Sequence, residues 1–323
     1  MLNSNPSSAA IFRIMRYSPE NKDEWNRFVD RSKNGTFLCK RDYMEYHADR
    51  FTDYSLMITR KNKLYALLPA CADGKTISSH AGLTYAGLIL DNDARVEEVL
   101  RLFDSLIDYL RGEGFDKFVY KPAPHIYHVV PAEEDLYALF RHDARLTVRN
   151  VSAVSSLDCQ LPLTSMRRSA LNRSRRNGVT ASLSADYADF WALLTANLAD
   201  RFGAAPTHSL GEIERLSRLF PENILLYTAR GKGGELLAGA VVYVTATVAH
   251  TQYLSASPEG RSVGALDAVI YQITKDYGKE NVRYIDFGTS NENGGRYLNE
   301  GLIYQKQGFG ARAVCYDTYT LTL

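Results

Sequence analysis

No stretch of this chain is apolar for long enough to cross a membrane, since its longest apolar runs are of strand length. Cysteine is scarce. The four cysteines, Cys39, Cys71, Cys159 and Cys315, are scattered, with no C-x-x-C pair among them and no histidine clustered beside them. A zinc site or a disulfide framework is therefore not expected, and the thiols read as reduced and cytoplasmic. Net charge is only +1, so overall charge favours neither DNA nor a membrane surface as partner, and only local patches can matter. The start, Met1–Ser8, lacks a basic segment leading into an apolar one. No secretory signal is expected, and residues 1–10 read as a disordered tail. Gly-x-Ser-x-Gly, Walker, His-Glu-x-x-His and dinucleotide motifs are all missing. The seven histidines are spread along the chain and suggest no triad.

What is present is a repeat. Residues 25–121 and 191–288 carry the same landmarks in the same order. Trp25 and Phe28 open a helical pattern, as do Phe190, Trp191 and Leu194. Strand-like runs follow, at 55–58 and 64–68 in the first copy and at 224–227 and 236–243 in the second. Leu83-Thr84-Tyr85 matches Thr251-Gln252-Tyr253-Leu254 as an aromatic strand. Each copy then has an amphipathic helix, near 95–111 and near 263–277, with apolar residues at i, i+3, i+4 and i+7. Each closes on a short strand, 115–120 or 282–287. A period this long means two domains of like fold, not a solenoid. A chain of 323 residues suits two domains of about 150. Prolines 122, 124 and 131 interrupt the join, placing the domains at 1–155 and 156–323. Each half reads as an α/β unit with helices packed on a mixed sheet.

Three segments can carry chemistry. Tyr304-Gln305-Lys306-Gln307-Gly308-Phe309-Gly310 follows a strand ending Asp286-Phe287-Gly288. At a strand end, residues face a cleft, and the Tyr304 phenol there is able to donate a proton. Asp286, Tyr253 and Ser255 are the other candidates for the proton route. The second segment is Ser257-Pro258-Glu259-Gly260-Arg261-Ser262-Val263-Gly264-Ala265, a glycine-containing loop before the long helix. Free N–H groups and the helix dipole make such a start an anion site. The third is the helix around Arg167, Arg168, Arg173, Arg175 and Arg176, with Ser165 as cap and Gly178 as terminator. Arg168, Arg173 and Arg176 suit phosphate contact. Each segment also has a structural reading: a core tyrosine, a plain helix entry and a solvated charged face.

The Tyr-x-x-x-Gly-Phe segment resembles the end of a GNAT-type N-acyltransferase domain. The doubled organisation, the basic helix at 166–179, Leu254-Ser255-Ala256-Ser257-Pro258 and Asp286-Phe287-Gly288 resemble the FemAB family of tandem GNAT-like transferases and the related BioF2-like domains. The resemblance implies two tandem GNAT-like domains, each a mixed, splayed sheet flanked by helices, with the active site in the second. It implies acyl transfer to an amine, from acetyl-CoA or, as in FemAB proteins, from aminoacyl-tRNA to a cell-wall precursor. No metal is implied. It makes Gly260, Arg261, Ser262, Val263, Gly264, Ala265 and Asn291 the donor-binding set. Arg261-x-x-Gly264 fits the coenzyme A pyrophosphate loop, while Leu266 departs from its final small position. A non-catalytic binding protein that has lost this loop is the rival expectation.

Overall fold

The computed structural model describes residues 12–278 and 282–323, so the tail expected over residues 1–10 lies outside the described residues. The chain forms two compact units, 1–149 with 316–323, and 150–315. It passes between them inside two strands, Arg145–Ser156 and Arg312–Thr322. The last residues of the chain thus lie in the first unit and not in the second domain. Backbone pairing is the reason: Tyr319–Thr322 is in antiparallel register with Lys117–Tyr120.

In the first unit, helix Val96–Gly112 buries Val99, Leu102, Phe103, Leu106, Ile107 and Leu110. These spacings form one stripe at 3.6 residues per turn. The stripe packs with Leu56, Ile58, Ala66, Leu68, Phe118 and Tyr120. Each fully buried side chain of this size is worth about 1.5–3 kcal/mol. Gly114, at φ 86°, ends the helix in the left-handed region. One four-stranded sheet holds Phe12–Arg16, Leu56–Arg60, Lys63–Leu68 and Ile89–Leu90. The aromatic run 83–85 is not a strand. It lies in a bend between Gly82 and Gly87, and Ile89–Leu90 pairs with Lys63–Leu68 as the sheet's last strand instead.

The second unit repeats this order of elements. Strands Thr180–Ser184, Ile224–Arg230, Leu236–Val244, Val248–Ala256, Tyr284–Thr289 and the end of Arg145–Ser156 lie side by side in that order. All neighbours are antiparallel except Val248–Ala256 and Tyr284–Thr289. Helix Ala265–Tyr277 covers one face, where Val269, Ile270 and Ile273 meet Ala240, Val242, Ile285 and Phe287. Helix Tyr187–Phe202 covers the other. Gly239 has no side chain because the Phe190 ring stands 2.6 Å from where its Cβ would be.

Candidate functional site

The parallel pair in the second unit is short. Only Val248, Ala249 and His250 pair, with Tyr284, Ile285 and Asp286. Beyond them the two strands part. A bulge between Val241 and Val242 adds twist on the neighbouring strand. Residues 251–256 therefore have no strand partner on that side, and the sheet forks.

Side chains alternate along a strand. Phe287 faces helix Ala265–Tyr277, so Asp286 points to the opposite face, towards helix Tyr187–Phe202. Asp286 is fully buried. Its carboxylate accepts from the Ser152 hydroxyl, from His250 Nδ1 at 2.9 Å and from the Gly288 N–H at 2.9 Å.

The open end of the fork leads into a cleft of about 410 Å³, whose walls include Arg167, Asn197, Ser255, Gly260, Lys306 and Phe309. An adjoining cavity of about 320 Å³ shares Asp267, Ile270, Phe287 and Phe309 with it. Lys306 donates from Nζ to the carbonyls of Gly288 at 2.9 Å and Thr289 at 2.8 Å. Burial pulls its pKa down to about 8, against the attraction of Asp286. Ser255 is buried, and its hydroxyl accepts from Asn197 Nδ2 at 2.7 Å.

Tyr253 does not reach this cleft. Its hydroxyl bonds His208 Nδ1 at 2.6 Å, and its ring stands edge-on to Trp191. Burial raises its pKa. It fastens the segment before helix Leu210–Leu219 to the sheet.

Tyr304 is turned out of the cleft. It sits on helix Glu300–Gln307, whose Leu302, Gln305 and Lys306 line the cleft. Two residues from 302 and from 306, Tyr304 lies on the far side of a 3.6-residue turn and is 64% exposed. The long gap before it is filled by a small hairpin, Asn291–Glu292 with Tyr297–Leu298. Asn291 is part of that structure, accepting the Val151 N–H at 2.6 Å and donating to Gly295 O.

The segment read as an anion loop is helical. Ser257 caps helix Pro258–Val263 by accepting the Gly260 N–H at 2.9 Å. Gly264, at φ 77°, joins it to helix Ala265–Tyr277. A Cβ at Gly260 would stand 1.9 Å from Leu237 O, and one at Gly264 would stand 2.4 Å from Ala170 O. Backbone thus presses on both glycines. Arg261 donates back to Ala256 O at 2.7 Å, and Ser262 bonds Glu259 O. Val263 packs against the core and Ala265 is part of it.

The start of helix Ala265–Tyr277 already has a carboxylate, Asp267, in its first turn. Asp267 is paired with Arg167 at 3.3 Å, and its pKa is raised by burial and drawn back by Arg167. Arg167 also donates to Gln305 O and stacks 4.2 Å over Phe309. Arg168, Arg173 and Arg176 are exposed on helix Ser165–Arg176. The cap of that helix is Thr164, one residue before the expected Ser165, and Gly178 follows it at φ 71°.

Sequence reasoning missed His250, Asn197, Asp267 and Lys306. The spacing Leu302, Gln305, Lys306 is one face of a helix and was the signal that could have found Lys306. Nothing local marked the other three.

A mixed sheet that forks at a short parallel pair in the second unit, with the same order of elements in the first, makes this a tandem GNAT fold. Residues 164–297 match the family model described as an acetyltransferase (GNAT) domain. The chain is similar in fold to the crystal structure of FemX, at 13% identity over 96% of this chain and 97% of that one, with a TM-score of 0.68. The fold is shared with L-PGS from Bacillus licheniformis, at 11% identity over 94% and 91%, TM-score 0.58. It is shared too with the C-terminal DUF2156 domain of a proposed lysylphosphatidylglycerol synthetase from Agrobacterium fabrum, at 14% identity over 93% and 91%, TM-score 0.61. No curated protein gives a significant match. The resemblance to FemAB-like, GNAT-superfamily acyltransferases is carried by this domain match and this fold. No helix among the described residues is long and apolar enough to cross a membrane.

Proposed function

We propose that the second unit is an N-acyltransferase that takes its acyl group from an aminoacyl ester of RNA and passes it to an amine, such as that of a cell-wall precursor, in the cytoplasm. The observation that carries the choice of donor is the helix start at Gly264. Ala170 O packs against Gly264, and Asp267 already places a carboxylate at the positive end of the helix dipole, where a pyrophosphate would have to sit. A coenzyme A pyrophosphate is poorly served there. Exposed Arg168, Arg173 and Arg176 suit an RNA backbone. The name of the Agrobacterium fabrum protein denotes an aminoacyl product, which agrees with this reading.

The acyl carbonyl would lie in the cleft of the fork. As the amine attacks, a C–N bond forms and the C–O bond to the ribose breaks. Negative charge grows on the carbonyl oxygen and on the leaving oxygen. Lys306 holds an ammonium group in a partly desolvated wall of that cleft, where a fixed positive charge stabilises such oxygens. Ser255 and Asn197 offer polar contacts to the aminoacyl amino group or to the carbonyl.

The test is to offer the purified chain alanyl-, seryl- and lysyl-tRNA on one side and acetyl-CoA on the other, with an amine acceptor, and to follow amide formation by mass spectrometry. Amide from aminoacyl-tRNA alone supports the reading. Amide from acetyl-CoA alone overturns the choice of donor. No amide from any donor leaves a binding protein with the transferase fold.

A further inference from the structure

We infer that His250, oriented by Asp286, is the general base that removes the proton from the acceptor amine, and that the amine meets it at the apex of the fork on the face covered by helix Tyr187–Phe202. This rests on the acyltransferase reading above and adds the residue that activates the nucleophile. His250 and Asp286 are the last paired residues before the strands part. The dyad therefore sits at the apex itself.

The geometry gives each nitrogen of His250 a distinct role. Nδ1 lies 2.9 Å from Asp286 Oδ2. With Nδ1–H donated to that carboxylate, the neutral ring keeps its lone pair on Nε2. Nε2 has no hydrogen-bond partner among the described residues. Asp286 in turn is fixed by two other donors, the Ser152 hydroxyl and the Gly288 N–H. A carboxylate so held sets the ring's tautomer and stabilises the imidazolium that forms when Nε2 takes a proton.

Gly288 lies beside the ring, which is about 15% exposed. Its φ of 74° disfavours any side chain, and a Cβ there would stand 3.5 Å from His250 Cε1. The same glycine's carbonyl accepts from Lys306, which lines the donor cleft. Gly288 is thus flanked by the imidazole on one side and by the cleft's ammonium on the other. An amine at the apex would meet a base, and a carbonyl in the cleft would meet a positive charge, across one residue. In the transfer, the amine nitrogen bonds to the acyl carbon and its proton passes to His250 Nε2. The ribose oxygen leaves with the bonding electron pair and takes a proton from water.

A purely structural His250–Asp286 pair would share this geometry, so the test must separate the two. Single-turnover rates are measured with alanyl-tRNA as donor and with glycinamide or hydroxylamine as acceptor. Glycinamide is largely an ammonium ion at neutral pH, whereas hydroxylamine is largely unprotonated and needs little help from a base. His250→Gln should lower the glycinamide rate by about 10²–10⁴-fold, with a markedly smaller loss for hydroxylamine. Imidazole added to His250→Gly should restore part of the glycinamide rate, and Asp286→Asn should lower the same rate with melting recorded alongside. Equal losses with both acceptors and no imidazole rescue would show a structural pair and overturn the inference. So would an unchanged glycinamide rate in His250→Gln. If wild-type protein transfers to neither acceptor, the acyltransferase reading fails and His250 falls with it.

Discussion

Replacing Lys306 by Met should make the second unit less active without making it less stable. The ammonium has a folded-state pKa of about 8 against an ordinary 10.5, because burial disfavours the charged form. Holding it charged at neutral pH costs at most about 3 kcal/mol, and less because the side chain keeps some contact with water. Methionine has a similar length and removes that cost. The carbonyls of Gly288 and Thr289 lose a donor, but the Thr289 bond is exposed and the Gly288 bond only part-buried, so water can replace it. Urea unfolding at pH 7 should therefore show Lys306→Met to be as stable as wild type or more so. Between pH 8 and 10.5 folded Lys306 is neutral while the unfolded residue is still protonated. The unfolded state then binds more protons, wild-type stability rises with pH, and the gap to the variant closes. Acyl transfer should fall by about 10²–10³-fold, the usual cost of removing one group that stabilises an oxyanion. In wild type, transfer should weaken above about pH 8 as the ammonium deprotonates. A variant destabilised by more than about 1 kcal/mol at pH 7, the net worth of an ordinary hydrogen bond, would make Lys306 a structural strut. Full turnover in the variant would remove it from the reaction.

Three further outcomes follow from the same physics. Gly264→Ala forces a side chain into the left-handed region and onto Ala170 O at 2.4 Å. It should cost about 1–2 kcal/mol from backbone conformation alone, read as a lower urea midpoint, and a midpoint equal to wild type would refute the close helix contact. Tyr304→Phe removes a hydroxyl from a side chain that is 64% exposed. Melting and turnover should both stay at wild-type values, and a large fall in turnover at unchanged melting would return the tyrosine to the chemistry. In the first unit, burial pushes the pKa of Asp135 up to about 6 from an ordinary 3.8, while Tyr120 donates to it. The folded chain then binds more protons between those values, so stability should decline as pH rises from about 4 to about 6. Asp135→Asn should flatten that decline, and an unflattened curve would assign it to another group.

Much of the architecture was legible in local pattern. The stripe Val99, Leu102, Phe103, Leu106, Ile107, Leu110 marks a helix wherever it is found, because period 3.6 puts those residues on one face. The paired order of helix, hairpin, helix and strand marked two like units for the same reason. The run 83–85 misled because aromatic residues suit both a strand and a packed bend, and the glycines at 82 and 87 decided for the bend. Tyr304 misled because its spacing to Gly308 and Phe309 said nothing of which side of a short helix would meet the cleft.

The sequence by itself determined the elements, their order and the two apolar faces of each sheet, since these depend on residues a few positions apart. Only the tertiary structure decided where the parallel pair ends, which residues flank that fork, and that the final strand returns to the first unit. It also brought Asp286 to His250 across 36 positions, pressed Ala170 O against Gly264, and set Lys306 against the carbonyls after Phe287. Strand pairing, close backbone contact and desolvation are properties of neighbours distant along the chain, and no local pattern encodes them.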